Sequence, residues 1–285
     1  MGVVLIGAVG TWRLLAERVA PQPQTGVETV ADPRLVVLKD QPYPAADGRS
    51  NVFDLYAPAD FKTRAYPLLI WIHGGGWRLG DKADWLSRDV AIRAALEGFV
   101  VLDANYVLAT PEHPAPFPAA PDDIAAFNRW VAANLPRFNA TATTPISIGG
   151  HSAGAHLALY QATEPRAPFR YACVVDVAGI ADLTALPRNG TVAPYAAAFA
   201  PTEDVRRLAS PRLRVRDWRA DHLLAVHGLR DAIVPVTQSK DLGAALRALE
   251  HPPTVDYFLP DRSDHDVAKA VSGPAITAFL RAHCR

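Results

Sequence analysis

The sequence of 285 residues is poor in cysteine, in net charge and in long apolar runs. Its two cysteines, Cys173 and Cys284, are too few for a metal cluster or a framework of several disulfides. Cys173 lies in the apolar run YACVVDV and is predicted to be a buried core residue. Lys and Arg together number 29, as do Asp and Glu, so there is no overall basic field to attract nucleic acid. We therefore predict no nucleic-acid partner.

The apolar stretch from Val3 to Trp12 is the only candidate targeting segment. It is too short to span a bilayer alone, which takes about 20 apolar residues. It also lacks the basic start and the clear cleavage site of a signal peptide. A shortened signal anchor, an amphipathic helix and an ordinary N-terminal helix stay open. Localisation is therefore open between the cytoplasm and an exported or membrane-anchored state, and so is weak membrane association through residues 3–12. Because Pro21 and Pro23 break the helix, residues 1–33 are predicted to be an apolar segment and linker.

Apolar runs alternate with amphipathic stretches along the rest of the chain. Strands are predicted at 34–40, 51–57, 67–73, 99–104, 144–149, 171–177, 222–227 and 254–259. Helices are predicted at 84–97, 121–134, 153–162, 236–250 and 272–283. This alternation indicates an α/β domain over residues 34–285, with a mostly parallel eight-stranded sheet and helices on both faces.

Two parts of this domain depart from simple strand–helix alternation. The first strands lack helices between them and are predicted to form an antiparallel edge. The stretch 179–221 is longer than a simple crossover. We expect it to form a small lid or wall over the carboxyl end of the sheet, where ligands bind in open α/β folds.

The stretch GGHSAGAH, residues 149–156, places Ser152 between close-set glycines directly after a predicted strand. Glycine usually marks backbone that must bend or be approached closely. The spacing fits G-x-S-x-G, the strand-to-helix turn that holds a nucleophilic serine. A plain glycine-rich turn has the same local pattern, so the rest of the chain must decide between the two interpretations.

A nucleophilic serine needs a base, and the base needs an acid that orients it. Asp231 follows the predicted strand LLAVHG, and His265 lies in the loop after the strand VDYFL. The chain order Ser, Asp, His is that of the α/β-hydrolase arrangement. Asp264 or Asp266, which flank His265, stays open as an alternative acid. The positions of the other histidines suit a base less well: His113, His151, His156, His222, His251 and His283.

The stretch HGGGW, residues 73–77, follows the third predicted strand. Glycines without side chains let backbone N–H groups point at a developing negative charge, which defines an oxyanion hole. The stretch fits neither the dinucleotide-binding spacing nor the phosphate-binding loop. His73 is expected to fix this loop through hydrogen bonds, and Trp77 to be either pocket wall or core packing.

Together these motifs resemble those of the α/β-hydrolase esterases in the hormone-sensitive-lipase-like group. The similarity is to its compact branch, with acetyl-xylan and feruloyl esterases and kynurenine formamidase, and it covers about residues 35–283. Further similar stretches are NVFDLYAPA, ANY, PFPAAPDDIAAFNRWVAANL and ASP. Val107 departs from the family, which often has arginine after NY.

The resemblance implies Ser152 as nucleophile, Asp231 as acid and His265 as base. It also implies oxyanion donors at Gly75, Gly76 and Ala153, although which of the three glycines, Gly74 included, donate stays open. These roles predict a serine carboxylesterase that acts on short-chain or small aryl and carbohydrate esters. No metal or organic cofactor is predicted, the partner is a small-molecule ester substrate, and the oligomeric state is not predicted. An arylformamidase or other amidase with the same triad stays an alternative, and a non-catalytic α/β-hydrolase-like binding protein is a second.

Overall fold

Eight strands form one sheet in the computed structural model, which describes residues 32–110, 114, 116–265 and 267–285. The strands are β1 (Leu35–Pro44), β2 (Ser50–Pro58), β3 (Leu68–Ile72), β4 (Val100–Ala104), β5 (Ile146–His151), β6 (Tyr171–Val177), β7 (Ala220–Val226) and β8 (Thr254–Phe258). Their order in the sheet is β1-β2-β4-β3-β5-β6-β7-β8. β2 is antiparallel to both β1 and β4, and the other neighbours are parallel. The predicted fold class and antiparallel edge are therefore confirmed.

Seven α-helices are described: α1 (Trp85–Leu96), α2 (Ala119–Ala133), α3 (Ala153–Ala162), α4 (Ala193–Phe199), α5 (Glu203–Leu208), α6 (Thr237–Arg247) and α7 (Val267–His283). α1 and α7 pack on one face of the sheet, and α2, α3 and α6 pack on the other. Every residue of β3 is buried, since both faces of the sheet are covered. None of these described helices is long and apolar enough to cross a bilayer.

Helix α7 begins five residues earlier than predicted. The prediction started this helix at residue 272, two residues before Pro274, and proline is common in the first turn of a helix. The structure instead places Pro274 inside the helix. The predicted N-terminal segment, His113 and Asp266 lie outside the described residues, apart from the last two residues of the linker.

The stretch 179–221, called the wall segment below, carries α4 and α5 between two short 3-10 helices, Leu183–Ala185 and Pro211–Asp217. Within it, the Arg212 guanidinium donates twice to the buried carboxylate of Asp182. Gln238 Oε1, on α6, accepts from the backbone N–H groups of Ala181 and Asp182 at 2.9 and 2.7 Å. Because charge-assisted and buried hydrogen bonds are costly to break, the Arg212 contact stabilises the wall segment internally and the Gln238 contacts fix its base to the body of the domain.

A disulfide joins Cys173 on β6 to Cys284, which follows α7, with the two Cα atoms 5.7 Å apart. Cys173 is fully buried, as predicted, but the expectation that it is only a core residue is wrong. The pattern could not show the bond because the two cysteines are 111 residues apart and meet only when α7 packs on the sheet. Since a bond that closes so long a loop restricts the unfolded chain, it is expected to stabilise the fold by about 2–5 kcal/mol.

Candidate active site

Four loops at the carboxyl edge of the sheet meet around one cavity of about 190 Å³. They follow β3, β5, β7 and β8, and they carry the glycine-rich stretch, Ser152, Asp231 and His265. Ser152 and His265 both line the cavity, and so do Gly75 and Gly76. The structure thus brings together residues that lie up to 190 positions apart in the sequence, from Gly75 to His265. A larger depression of about 560 Å³, between Tyr66 and Arg285, lies at the opposite edge and contains none of these groups.

Ser152 is the single residue between β5 and α3. Its backbone has φ 53° and ψ −116°, which is strained for a residue with a side chain. The Ser152 N–H donates to Val177 O on β6 at 2.8 Å, which ties the turn to the sheet. Gly154 is required because a Cβ there would collide with the carbonyl oxygens of Ile72 and His73. This strained strand-to-helix turn has the geometry that the G-x-S-x-G pattern predicts, and it leaves Ser152 lining the cavity.

His265 Nδ1–H donates to Asp231 Oδ2 at 2.7 Å, and both side chains are nearly fully buried. Asp231 Oδ1 accepts from the backbone N–H groups of Ile233 and Val234 at 2.9 and 2.8 Å. Burial alone raises the pKa of Asp231, but the hydrogen bonds from His227 and His265 outweigh it and hold that pKa below its usual range. Asp231 is therefore an ionised, oriented partner of His265.

The competing acids lie elsewhere where the structure describes them. Asp264 is exposed beside His265, and Asp231 is the carboxylate that the His265 ring contacts. Asp256 lies on β8, and its carboxylate is 3.9 Å from the ring of His283, a histidine whose position suits a base less well. His251 is exposed at the end of α6.

The glycine-rich loop is a tight turn held on the cavity rim. Gly75 O accepts from the Leu79 N–H at 3.0 Å, and Gly75 and Gly76 have φ of +116° and +61°. A Cβ on Gly75 would collide with the Leu79 carbonyl, so only glycine fits there. His73 Nδ1–H donates to Gly74 O at 2.7 Å, and burial lowers the pKa of His73, which keeps the ring neutral.

Ala153 completes the set of predicted oxyanion donors. It is fully buried and is the first residue of α3, directly after Ser152. The N–H groups in the first turn of a helix have no partner within the helix, and the helix dipole makes this end partly positive. This position suits an amide that receives negative charge beside Ser152.

Trp77 is both cavity wall and core packing. It lines the cavity and is almost fully buried. Its ring stacks on Phe199 of α4 with centroids 4.2 Å apart, and its Nε1–H donates to His156 Nδ1 at 3.2 Å. His156 Nε2–H in turn donates to Ala209 O at 2.8 Å, and burial lowers the pKa of His156 to about 4, so the ring is neutral. These contacts pin the wall segment to the glycine-rich loop.

The wall segment contributes the outer side of the cavity through Thr191, Val192 and Tyr195. The Tyr195 ring lies so close to Gly76 that a Cβ there would approach it to 2.6 Å. Ile180 and Ile233 line the remaining side. The cavity is thus small and largely apolar. One side of it is formed by the wall segment, which its contacts with Trp77 and Gln238 hold in place.

Two histidines lie beside the predicted triad: sequence reasoning considered His151 without placing it in the cavity, and it missed His227. The His151 ring lies 4.9 Å from that of His265 and lines the cavity. His227, at the end of β7, lies 3.3 Å from Asp231 Oδ2. Its position four residues before Asp231, directly after an apolar strand, is a signal that could have found it. Across the described residues, no group of three His, Cys, Asp or Glu side chains could hold a metal ion.

Comparisons with known proteins identify the family of this chain and several of its relatives. The BD-FAE family profile matches residues 53–246. The esterase LipC of Mycobacterium tuberculosis is 28% identical over 222 residues, which are 71% of this chain and 54% of LipC. The chain spans about half the length of this and other curated relatives that it matches over most of its own length.

Two solved structures share the fold at low sequence identity. A truncated carbohydrate esterase from gut microbiota has a TM-score of 0.72 and 20% identity, and the match covers 91% of this chain and 97% of that one. Brefeldin A esterase, a bacterial homologue of human hormone-sensitive lipase, has a TM-score of 0.70 and 17% identity, covering 92% and 79%. The chain therefore belongs to the BD-FAE family, and it shares its fold with these two esterases.

Proposed function

We propose that this chain is a serine carboxylesterase that hydrolyses small esters. One observation carries the proposal: His265, hydrogen-bonded to Asp231 at 2.7 Å, lines the same cavity as a serine on a strained strand-to-helix turn. The names of the matched relatives, which include esterases and carboxylesterases, support the same activity.

The reaction follows from the roles of these groups. His265 Nε2 accepts the proton of the Ser152 hydroxyl while Ser152 Oγ bonds to the ester carbonyl carbon. The π electron pair of the C=O bond moves onto the carbonyl oxygen. The alcohol leaves with the proton from His265, and an acyl-Ser152 remains. Water then gives a proton to His265 and attacks the acyl carbon, and Ser152 recovers the proton as the acid leaves. Asp231 stabilises the imidazolium that forms twice in this cycle.

The negative oxygen of each intermediate needs donors. Gly75 and Gly76 line the cavity with Ser152, and Gly74 is not among the residues that line it. This favours Gly75 and Gly76 over Gly74, together with Ala153 at the start of α3. Each such donor typically contributes about 3–4 kcal/mol to stabilising the transition state.

Replacing Gly75 with alanine is expected to lower kcat about 10²–10³-fold, the loss typical of one oxyanion donor. The added Cβ would collide with the Leu79 carbonyl and so turn the loop away from Ser152. Gly190→Ala is the matched control, because Gly190 has a similar φ of +106° but open space around it. The control should cost about 1–2 kcal/mol of unfolding free energy and keep kcat near the wild-type value. Equal kcat losses in the two variants would contradict the role of the Gly75 loop.

The cavity predicts a preference for short acyl chains. A nitrophenyl ester series should give the highest kcat/KM from acetyl to butyryl and little turnover beyond about eight carbons. Each methylene that fits the cavity contributes about 0.8 kcal/mol of binding, and the fixed wall segment stops further gain from longer chains. Tyr195→Ala should move the optimum to longer chains, whereas Leu208→Ala, at an exposed position of the same segment, should not. A profile still rising at twelve carbons would show that the wall moves.

The same machinery can cleave an amide, so the bond must be tested separately. Turnover of an aryl ester should exceed that of the matching formyl-anilide if the cavity serves esters. A serine-directed phosphonate should also react covalently with Ser152. A non-catalytic binding protein of this fold should not be labelled.

A further inference from the structure

A second imidazole reaches the carboxylate that orients His265. His227 follows β7 directly, and its side chain is fully buried. Its Nε2 lies 3.3 Å from Asp231 Oδ2 and 2.8 Å from Val234 O. Both of these oxygens only accept hydrogen bonds when Asp231 is ionised, so Nε2 must carry a proton.

The other ring nitrogen faces a buried hydroxyl with a carboxylate behind it. His227 Nδ1 lies 2.8 Å from Ser239 Oγ on α6, and Ser239 Oγ donates to Asp176 Oδ2 at 3.0 Å. A hydroxyl has one proton to donate. If that proton points to the Asp176 carboxylate, Nδ1 must itself donate to Ser239, and the ring is an imidazolium. A neutral ring would instead require Asp176 to be protonated. In either case the network holds one ionisable proton, on the His227 ring or on the Asp176 carboxyl group.

The surrounding charges favour the imidazolium. Asp231 faces the ring at Nε2, and Asp176 on β6 faces it through Ser239. Burial raises the pKa of Asp176 above its usual value, whereas the positive charge of His227 and the hydrogen bonds from Ser239 and from the Gly179 N–H, the last at 2.9 Å, favour its ionised form. Burial lowers the pKa of His227, but the hydrogen bond to Asp231 and the charge of Asp176 outweigh it and raise that pKa above its usual value. The remaining titratable group of the network, His265, contacts Asp231 on the same oxygen.

We propose that His227 is a positioning residue that carries a permanent positive charge, balanced by Asp176 through the Ser239 hydroxyl, and that it holds Asp231 for His265. The inference rests on the proposed esterase function for its catalytic consequence. The His227 charge offsets part of the negative charge that Asp231 presents to His265. The enzyme therefore keeps its activity further into the acid range than it would with a neutral His227 ring.

The variant Asp176→Asn tests this charge without removing the imidazole. An amide at residue 176 can donate to Ser239, which then donates to His227 Nδ1, so the ring becomes neutral. With more of the Asp231 charge acting on His265, the acid limb of the pH profile of kcat/KM should move up by about one pH unit, because the positive charge lost from His227 lies nearer to Asp231 than the negative charge lost from residue 176. His222→Gln is the matched control, since His222 lies on β7 outside this network. An unmoved limb in a folded Asp176→Asn protein would overturn the proposal.

A spectroscopic measurement decides the question without any turnover. In ¹⁵N NMR of the wild-type protein, both ring nitrogens of His227 should show the protonated form throughout a titration around neutral pH. His227→Gln identifies the signals, and Asp176→Asn should convert one nitrogen to the unprotonated form. A neutral wild-type His227 ring overturns the proposal even if the protein hydrolyses esters. A charged ring in a protein that hydrolyses no ester would instead count against the proposed function alone.

Discussion

Replacing Ser152 with alanine is expected to lower kcat/KM for a small ester by about 10⁴-fold or more, because the members of a triad act as a unit and the nucleophile starts the reaction. Residual turnover should come only from binding and the oxyanion donors. The fold should survive, since alanine is smaller and the strand-to-helix turn is tied to the sheet by the backbone N–H of residue 152, which alanine keeps. Kinetics on purified protein, with circular dichroism and thermal unfolding, provide the measurement.

A matched control and a label sharpen this result. Ser147 lies on the same strand, β5, and is fully buried, so Ser147→Ala removes a hydroxyl from the same element without touching the cavity. It should keep wild-type kinetics. A serine-directed phosphonate should add one equivalent to the wild-type protein and to Ser147→Ala, but none to Ser152→Ala. Near-full activity in Ser152→Ala would mean that another group is the nucleophile.

The strands and long helices could be predicted because burial imposes their patterns. A strand such as LLIWI, covered on both faces, can only be a continuous apolar run. The order of the site residues could also be predicted, since parallel strands bring their carboxyl ends to one edge, so that loops distant in sequence meet there. The chain order of Ser152, Asp231 and His265 therefore implies proximity.

The features that escaped prediction depend on packing between distant elements. The disulfide requires α7 to bring Cys284 to β6, and no local pattern reports that approach. The wall segment contains helices of only seven and six residues, too short to show helical periodicity. The chain from His227 through Ser239 to Asp176 joins three elements, β6, α6 and the loop after β7, by hydrogen bonds that only coordinates reveal. What sequence shows is which residues can do chemistry, and packing decides which of them touch.

Replacing His265 with alanine should cause a loss of about 10⁴-fold or more in kcat/KM, at every pH tested, because no other base then takes the Ser152 proton. His151 is the sharpest comparison, since its ring lines the same cavity 4.9 Å from that of His265. The hydrogen bond to Asp231 separates the two, because it orients the His265 ring and stabilises its charged form. His151→Ala should therefore keep far more activity than His265→Ala, and His251→Ala, at an exposed position, should match the wild type. Added imidazole should restore part of the activity of His265→Ala, since that variant leaves a ring-sized space beside Asp231. An active His265→Ala protein alongside an inactive His151→Ala protein would mean that His151, and not His265, is the base. Asp231 would then not be the acid that orients the base.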